Sequence, residues 1–277
     1  MNATAVRSQT DRLIFPPAQG LRGSESAPMV RRQRTLYLPG PAGRLEALLN
    51  QGTPDTPFAA LLCHPHPLGG GTMHNKVVYH AMKAMNAPEW GLGLPVLRFN
   101  FRGVGLSEGR HDGGAEAEDV AAALAWLENE YNVPIVAAGF SFGAAMTLEA
   151  CCGASRPPAA VGALVALGLP TEPGSPRTGL GPWGGEPGSP RTGLGPWGGE
   201  AAGRNYSYRF LNNCTLPKLF VSGALDQFAP ASQLAQVTAS AADPKRLVLL
   251  PGADHFFTNQ LEPMQQALAG WLKELTP

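Results

Sequence analysis

An α/β fold with a mostly parallel central sheet and helices on both faces is predicted by three features of this 277-residue chain. Apolar runs of strand length alternate with helix-periodic segments from residue 58 onward, the order that builds parallel sheets. These runs are apolar almost throughout, as strands covered on both faces should be. Midway, Gly139-Phe140-Ser141-Phe142-Gly143 sits between an apolar run (134–138) and a helix-favouring run (144–150). That context reads as strand, sharp turn and helix, with a serine at the bend.

The elements follow in order. Segments 35–38 and 45–49 flank Pro39-Gly40-Pro41-Ala42-Gly43 and predict a hairpin with that centre as its turn. Further strands are predicted at 58–63, 94–101, 134–139, 160–169, 218–223 and 246–250. Helices are predicted at 76–86, 115–130, 141–152, 231–241 and 263–273. Within 115–130, Val120, Leu124 and Leu127 share one face at spacings of four and three. Pro263 fits a first helical turn, where no intrahelical partner awaits its missing N–H.

Two segments stand outside this rhythm. Residues 1–32 are polar, with Pro16-Pro17 and scattered Gly and Ser, and are expected to be a flexible extension to a domain spanning 33–277. Within that domain, the fourteen residues 173–186 recur unchanged as 187–200. Two copies are too few for a solenoid, and their Gly and Pro content forbids regular helix or strand. The insert reads as a duplicated loop; the alternative is a flap that brings Trp183 and Trp197 over a pocket.

Lys plus Arg equal Asp plus Glu at 21 each, which argues against general affinity for nucleic acid or anionic membrane. No run approaches the roughly 18 apolar residues of a membrane span, and residues 1–26 lack a signal-length apolar stretch. Cys151 and Cys152 fall on a predicted buried helix and are not expected to bridge. With Cys63 and Cys214 they form no CxxC pair, so neither zinc nor a redox motif is indicated. A reducing, cytoplasmic location is expected.

A serine hydroxyl needs a general base, and the base needs an orienting acid. On this architecture the expected order is Ser, acid, His. His255 is the sole histidine after Ser141, in a loop beyond the last strand. Asp226 follows the strand at 218–223 and is the candidate acid; Asp254, adjoining His255, is poorly placed for a linear bond. Two backbone N–H groups should bind the oxyanion of a tetrahedral intermediate. Phe142 supplies one at a helix N-terminus. The loop after the third strand, Cys63-His64-Pro65-His66-Pro67-Leu68, supplies the other from His66 or Leu68, because Pro65 and Pro67 have no N–H; His66 is the choice. His64, His66, His74 and His80 raise a metal reading, but no HExxH occurs and residues alternating with prolines converge poorly. Arg102 and Ser107, in a glycine-containing loop without a Lys-Ser or Lys-Thr ending, read as structural rather than phosphate-cradling.

The 63–76 loop, the run from Arg98 to Ser107, the turn at Ser141 and the positions of Asp226 and His255 together resemble the α/β-hydrolase superfamily. They most resemble its small, largely lid-less bacterial branch related to dienelactone hydrolases, over about residues 33–275. The resemblance implies esterase chemistry on small to medium-chain carboxylic esters through an acyl-enzyme, with no cofactor and no metal. Ser141 stands where dienelactone hydrolases carry cysteine, which favours simple esters over lactones. Asn100 stands where many superfamily members carry Asp, so no extra carboxylate is expected there. A monomer or homodimer acting on a small-molecule ester is expected. A thioesterase or peptidase using the same residues, or a non-catalytic scaffold for protein binding, are the alternatives.

Overall fold

The computed structural model describes residues 33–153, 160–171 and 206–275. The 1–32 extension and the duplicated insert therefore lie outside the described residues. The described residues open with a hairpin, β1 (Gln33–Gly40) and β2 (Gly43–Asn50), in register from Gly40 opposite Gly43. Both strands run into the Pro–Gly segment expected to be turn, leaving only Pro41 and Ala42 at the tip. Glycine permits this closeness: a Cβ on Gly40 would lie 2.7 Å from the Gly43 carbonyl oxygen.

Six more strands follow: β3 (Ala59–Cys63), β4 (Val96–Phe99), β5 (Ile135–Phe140), β6 (Val161–Leu167), β7 (Lys218–Gly223) and β8 (Lys245–Leu250). They form one eight-stranded sheet of order β1-β2-β4-β3-β5-β6-β7-β8. The first two pairings, β1–β2 and β2–β4, are antiparallel, and the rest are parallel. Among the described residues five α-helices accompany the sheet: α1 (Lys76–Asn86), α2 (Glu116–Tyr131), α3 (Phe142–Leu148), α4 (Ala231–Ser240) and α5 (Leu261–Leu275).

The strand side chains divide between two cores. Ala59, Leu61 and Cys63 face a layer with Val120, Leu124 and Leu127 of α2 and Met146 of α3. Ala60 and Leu62 face the other, with Val77, Val78 and Met82 of α1 and Met264 and Leu268 of α5. The period of two sorts alternate residues to opposite faces, and both faces are covered, which explains the unbroken apolar runs. Every parallel strand therefore ends at the same edge.

Two boundaries differ from expectation for tertiary reasons. The strand expected over 94–101 stops at Phe99, because the Phe101 N–H is taken by a histidine ring, His64 Nε2, at 3.0 Å. The helix expected over 141–152 is α3 up to Leu148 and then widens into a π turn, Glu149–Gly153. That turn corrects the cysteine reading as well. Cys151 stays buried, whereas Cys152 is partly exposed and forms a disulfide with Cys214, 62 residues away, with Cα atoms 5.6 Å apart. Cysteine usage therefore gives no argument for a reducing compartment. No helix among the described residues is long and apolar enough to cross a membrane.

Candidate active site

Ser141 occupies the bend between β5 and α3 with φ 56° and ψ −122°, backbone angles that a side-chain-bearing residue rarely adopts. The two flanking glycines make the bend possible. A Cβ on Gly139 would stand 2.4 Å from the Gly143 carbonyl, and one on Gly143 would stand 2.4 Å from the His64 carbonyl oxygen. Gly143 thus lets the loop after β3 lie directly against the start of α3.

His255 lies in the loop after β8. Its Nε2 is 2.9 Å from Ser141 Oγ and its Nδ1 is 2.8 Å from Asp226 Oδ2. The imidazole is buried among Phe140, Phe228 and Phe256, with ring centroids 5.1, 4.7 and 5.2 Å away. Asp226 is fixed from several directions. The Phe228 and Ala229 N–H groups donate to Oδ1 at 2.8 and 3.0 Å, and Ser222 Oγ donates to Oδ2 at 3.0 Å. Burial pushes this carboxyl up, but the His255 hydrogen bond, the His255 charge and the remaining donors outweigh it and hold it below its ordinary range. An ionised Asp226 selects the tautomer with the proton on Nδ1, so Nε2 is left to accept from the serine hydroxyl.

Asp254 does something else: its Oδ1 accepts the Phe256 and Thr258 N–H groups at 3.0 and 2.9 Å, which shapes the loop that carries His255.

Phe142 is the first residue of α3, where the backbone N–H has no intrahelical acceptor. The His66 ring packs on the Phe142 ring with centroids 4.8 Å apart, so the loop after β3 borders the turn at Ser141. The Leu68 N–H donates to His66 Nδ1 at 3.2 Å.

The other histidines scatter. His64 is fully buried; its Nδ1 pairs with the Pro65 carbonyl at 2.6 Å and its Nε2 accepts the Phe101 N–H. Burial drives its pKa down to about 3, so it is neutral and ties two loops together. His80 joins α1 to α5 through Gln265, and His74 is exposed. Among the described residues no three His, Cys, Asp or Glu side chains are grouped to hold a metal. Arg102 makes a bidentate pair with buried Asp119 of α2, and Ser107 bridges the Glu46 N–H and the Asn100 carbonyl. Asn100 accepts the Met73 N–H and donates to Glu46.

Sequence reasoning missed four supports. Ser222 gave no signal beyond its place in a strand. Gly168 and Gly223 let the His255 loop close in: a Cβ on Gly168 would lie 3.2 Å from His255 Cε1, and one on Gly223 would lie 2.2 Å from the Ala253 carbonyl oxygen. The fourth is the pair of His111 with buried Glu116, whose spacing of five across a loop matches no helix or strand pattern.

Together these groups can pass a proton from a serine hydroxyl to an imidazole backed by a buried carboxylate, beside a helix N-terminus suited to developing negative charge.

The chain is similar in sequence and structure to known proteins. A solved α/β serine hydrolase homologue from Coxiella burnetii is 30% identical, with a TM-score of 0.67 over 86% of this chain and 97% of that one. A Xanthomonas campestris protein, described as an α/β serine hydrolase without a lid, is 26% identical, with a TM-score of 0.65 over 88% and 95%. An uncharacterised protein of Rickettsia prowazekii is 30% identical over 245 residues, 86% of this chain and 87% of its own length. No protein-family model matches the chain.

Proposed function

The chain belongs to the α/β-hydrolase superfamily, and we propose that within it the protein is a serine carboxylesterase acting on small to medium-chain esters. The observation that carries this reading is the continuous hydrogen-bond chain from Asp226 Oδ2 through both His255 nitrogens to Ser141 Oγ. In the mechanism, Ser141 Oγ attacks the ester carbonyl carbon as His255 Nε2 takes its proton. Asp226 stays ionised and stabilises the imidazolium. The carbonyl π pair moves onto oxygen, and the N–H groups of Phe142 and His66 donate hydrogen bonds to that oxyanion. Collapse expels the alcohol, protonated by His255, and leaves an acyl-serine. Water then repeats the sequence with His255 as base and releases the acid.

Hydrolysis of p-nitrophenyl esters from acetate to decanoate, by wild type and Ser141→Ala in parallel, tests the reading. Wild type should turn over, with the best chain length reporting pocket depth. The variant should lose at least about 10⁴-fold in kcat at unchanged Tm. Retained cleavage by Ser141→Ala removes the serine from the mechanism. An inert, folded wild type that cleaves thioesters or amides instead moves the substrate class and keeps the machinery.

A further inference from the structure

Three rings meet where the two oxyanion donors are assigned. His66 and Phe142 have centroids 4.8 Å apart, His66 and His111 5.0 Å, and His111 and Phe142 5.6 Å. His111 thus touches both residues that carry the donors. It arrives from a third element, the loop between β4 and α2. Its Nδ1 is held at 2.5 Å by Oε1 of Glu116, the first residue of α2. The Glu116 side chain is fully buried, and the N–H groups of Asp112 and Gly113 also donate to Oε1. Burial pushes this carboxyl up, but the His111 hydrogen bond and charge and the backbone donors bring it down to about 2, so it is an anion at any working pH. One turn further along α2, Asp119 clamps Arg102 at the start of the same loop. The loop is thus fastened to the first turn of α2 at two points.

A buried carboxylate is costly to place without a purpose for its partner, and core packing alone would be served by an apolar ring. We propose that His111, held by Glu116, is a positioning residue that sets the spacing of the Phe142 and His66 N–H groups around the oxyanion. The proposal rests on the esterase reading above. His111 touches no reacting atom in this scheme. It acts on the transition state by fixing where the donors stand, so its loss should lower kcat and leave ground-state binding alone.

The test uses the full chain and its best p-nitrophenyl ester, with His111→Ala, Glu116→Ala, Glu116→Gln and the double alanine variant. A trifluoromethyl ketone of matching chain length serves as probe. Ser141 Oγ adds to its carbonyl carbon, the π pair becomes an oxyanion, and the serine proton passes to His255. Either single alanine variant should lose about 10- to 100-fold in kcat with KM within twofold. The ketone Ki should rise by the same factor as kcat falls. Glu116→Gln, whose amide oxygen still accepts the Nδ1–H, should recover to within about fivefold of wild type, and the double variant should be no worse than the worse single. Unchanged kcat in His111→Ala, a Ki that does not follow kcat, or Glu116→Gln as damaged as Glu116→Ala would each overturn the proposal. If His111→Ala does not fold, His111→Gln is read by the same two criteria. Failure of the esterase reading looks different: wild type itself neither cleaves esters nor binds the ketone, and the proposal falls with it.

Discussion

Lowering the pH from 7 to 4.5 sets the folded state against the unfolded one at a fully buried group, His64. Its ring is fully enclosed, with Nδ1 at 2.6 Å from the Pro65 carbonyl and Nε2 accepting the Phe101 N–H at 3.0 Å. The first contact needs a proton on Nδ1, so protonation must occur at Nε2, head-on to a backbone donor, without solvent to compensate. Burial lowers the pKa from 6.5 to about 3. The unfolded chain therefore binds a proton that the folded one refuses, and stability rises with pH across that window. It is complete above about pH 6.5 and falls by about 1.4 kcal/mol per unit below it. At pH 4.5 the loss is about 3 kcal/mol, a large share of the roughly 5–15 kcal/mol that holds a domain folded.

Urea denaturation at pH 7.0, 5.5 and 4.5 measures this. With a slope of about 3 kcal/mol/M, the wild-type midpoint should fall by about 1 M. His64→Gln, whose amide oxygen can accept the Phe101 N–H but cannot titrate, should start less stable at pH 7 and then stay nearly flat. Glu116 and Asp226 act in the same direction, since both carboxyls are held low in the folded state, but only below about pH 4.5. Parallel midpoint curves for wild type and His64→Gln between pH 6.5 and 4.5 would refute the reasoning.

Other expectations are read from single sites. Asp226→Asn removes the charge that fixes the His255 tautomer, and kcat should fall by about 10³- to 10⁴-fold with KM little changed, measured on p-nitrophenyl esters. Gly223→Ala places a Cβ 2.2 Å from the Ala253 carbonyl oxygen and 2.6 Å from that of Asp254. It must push back the His255 loop, costing about 1–3 kcal/mol in a thermal melt and about 100-fold in kcat. Gly270→Ala, on the exposed side of α5 with nothing within 4 Å of the new Cβ, should stabilise by about 0.5–1 kcal/mol and leave turnover unchanged.

The order of elements was legible because hydrophobic periodicity is local. α1 and β7 fall on the residues expected for them, and the turn at Ser141 followed from its glycines and its place between strand and helix. Features set by partners far along the chain were not legible. β4 ends early because a ring 37 residues upstream captures the Phe101 N–H. Cys152 bridges to Cys214 because a π turn follows α3, which no residue in 149–153 announces. Ser222, Gly168 and Gly223 support His255 only through the packing of three different strand ends. Ser141, Asp226 and His255 were findable because their order along the chain is constrained, whereas His111 and Glu116 lie in a loop and at a helix start that no such order governs.

The two sides of the site are built by different physics, and this gives them different weaknesses. Beside His255 the loops are held by backbone proximity, with glycines at 168 and 223 admitting contacts that any side chain would block. Beside Phe142 the loops are held by buried polar ties: His64 to Phe101, Arg102 to Asp119, His111 to Glu116, and Asn100 between Met73 and Glu46. Backbone proximity itself does not titrate and is intolerant of added methyl groups, while the Asp226 and Asp254 carboxylates on the same side, both held low, respond only to stronger acid. Polar ties tolerate small changes of volume but depend on protonation. Between pH 6.5 and 4.5, however, the folded protein keeps His64 neutral and Glu116 ionised, so mild acid lowers the stability of the fold before it alters these ties. In folded wild type and folded His64→Gln, trifluoromethyl ketone affinity should therefore change in parallel between pH 6.5 and 4.5, while their urea midpoints diverge. A steeper loss of affinity in wild type would mean that His64 takes up a proton within the folded state in that range.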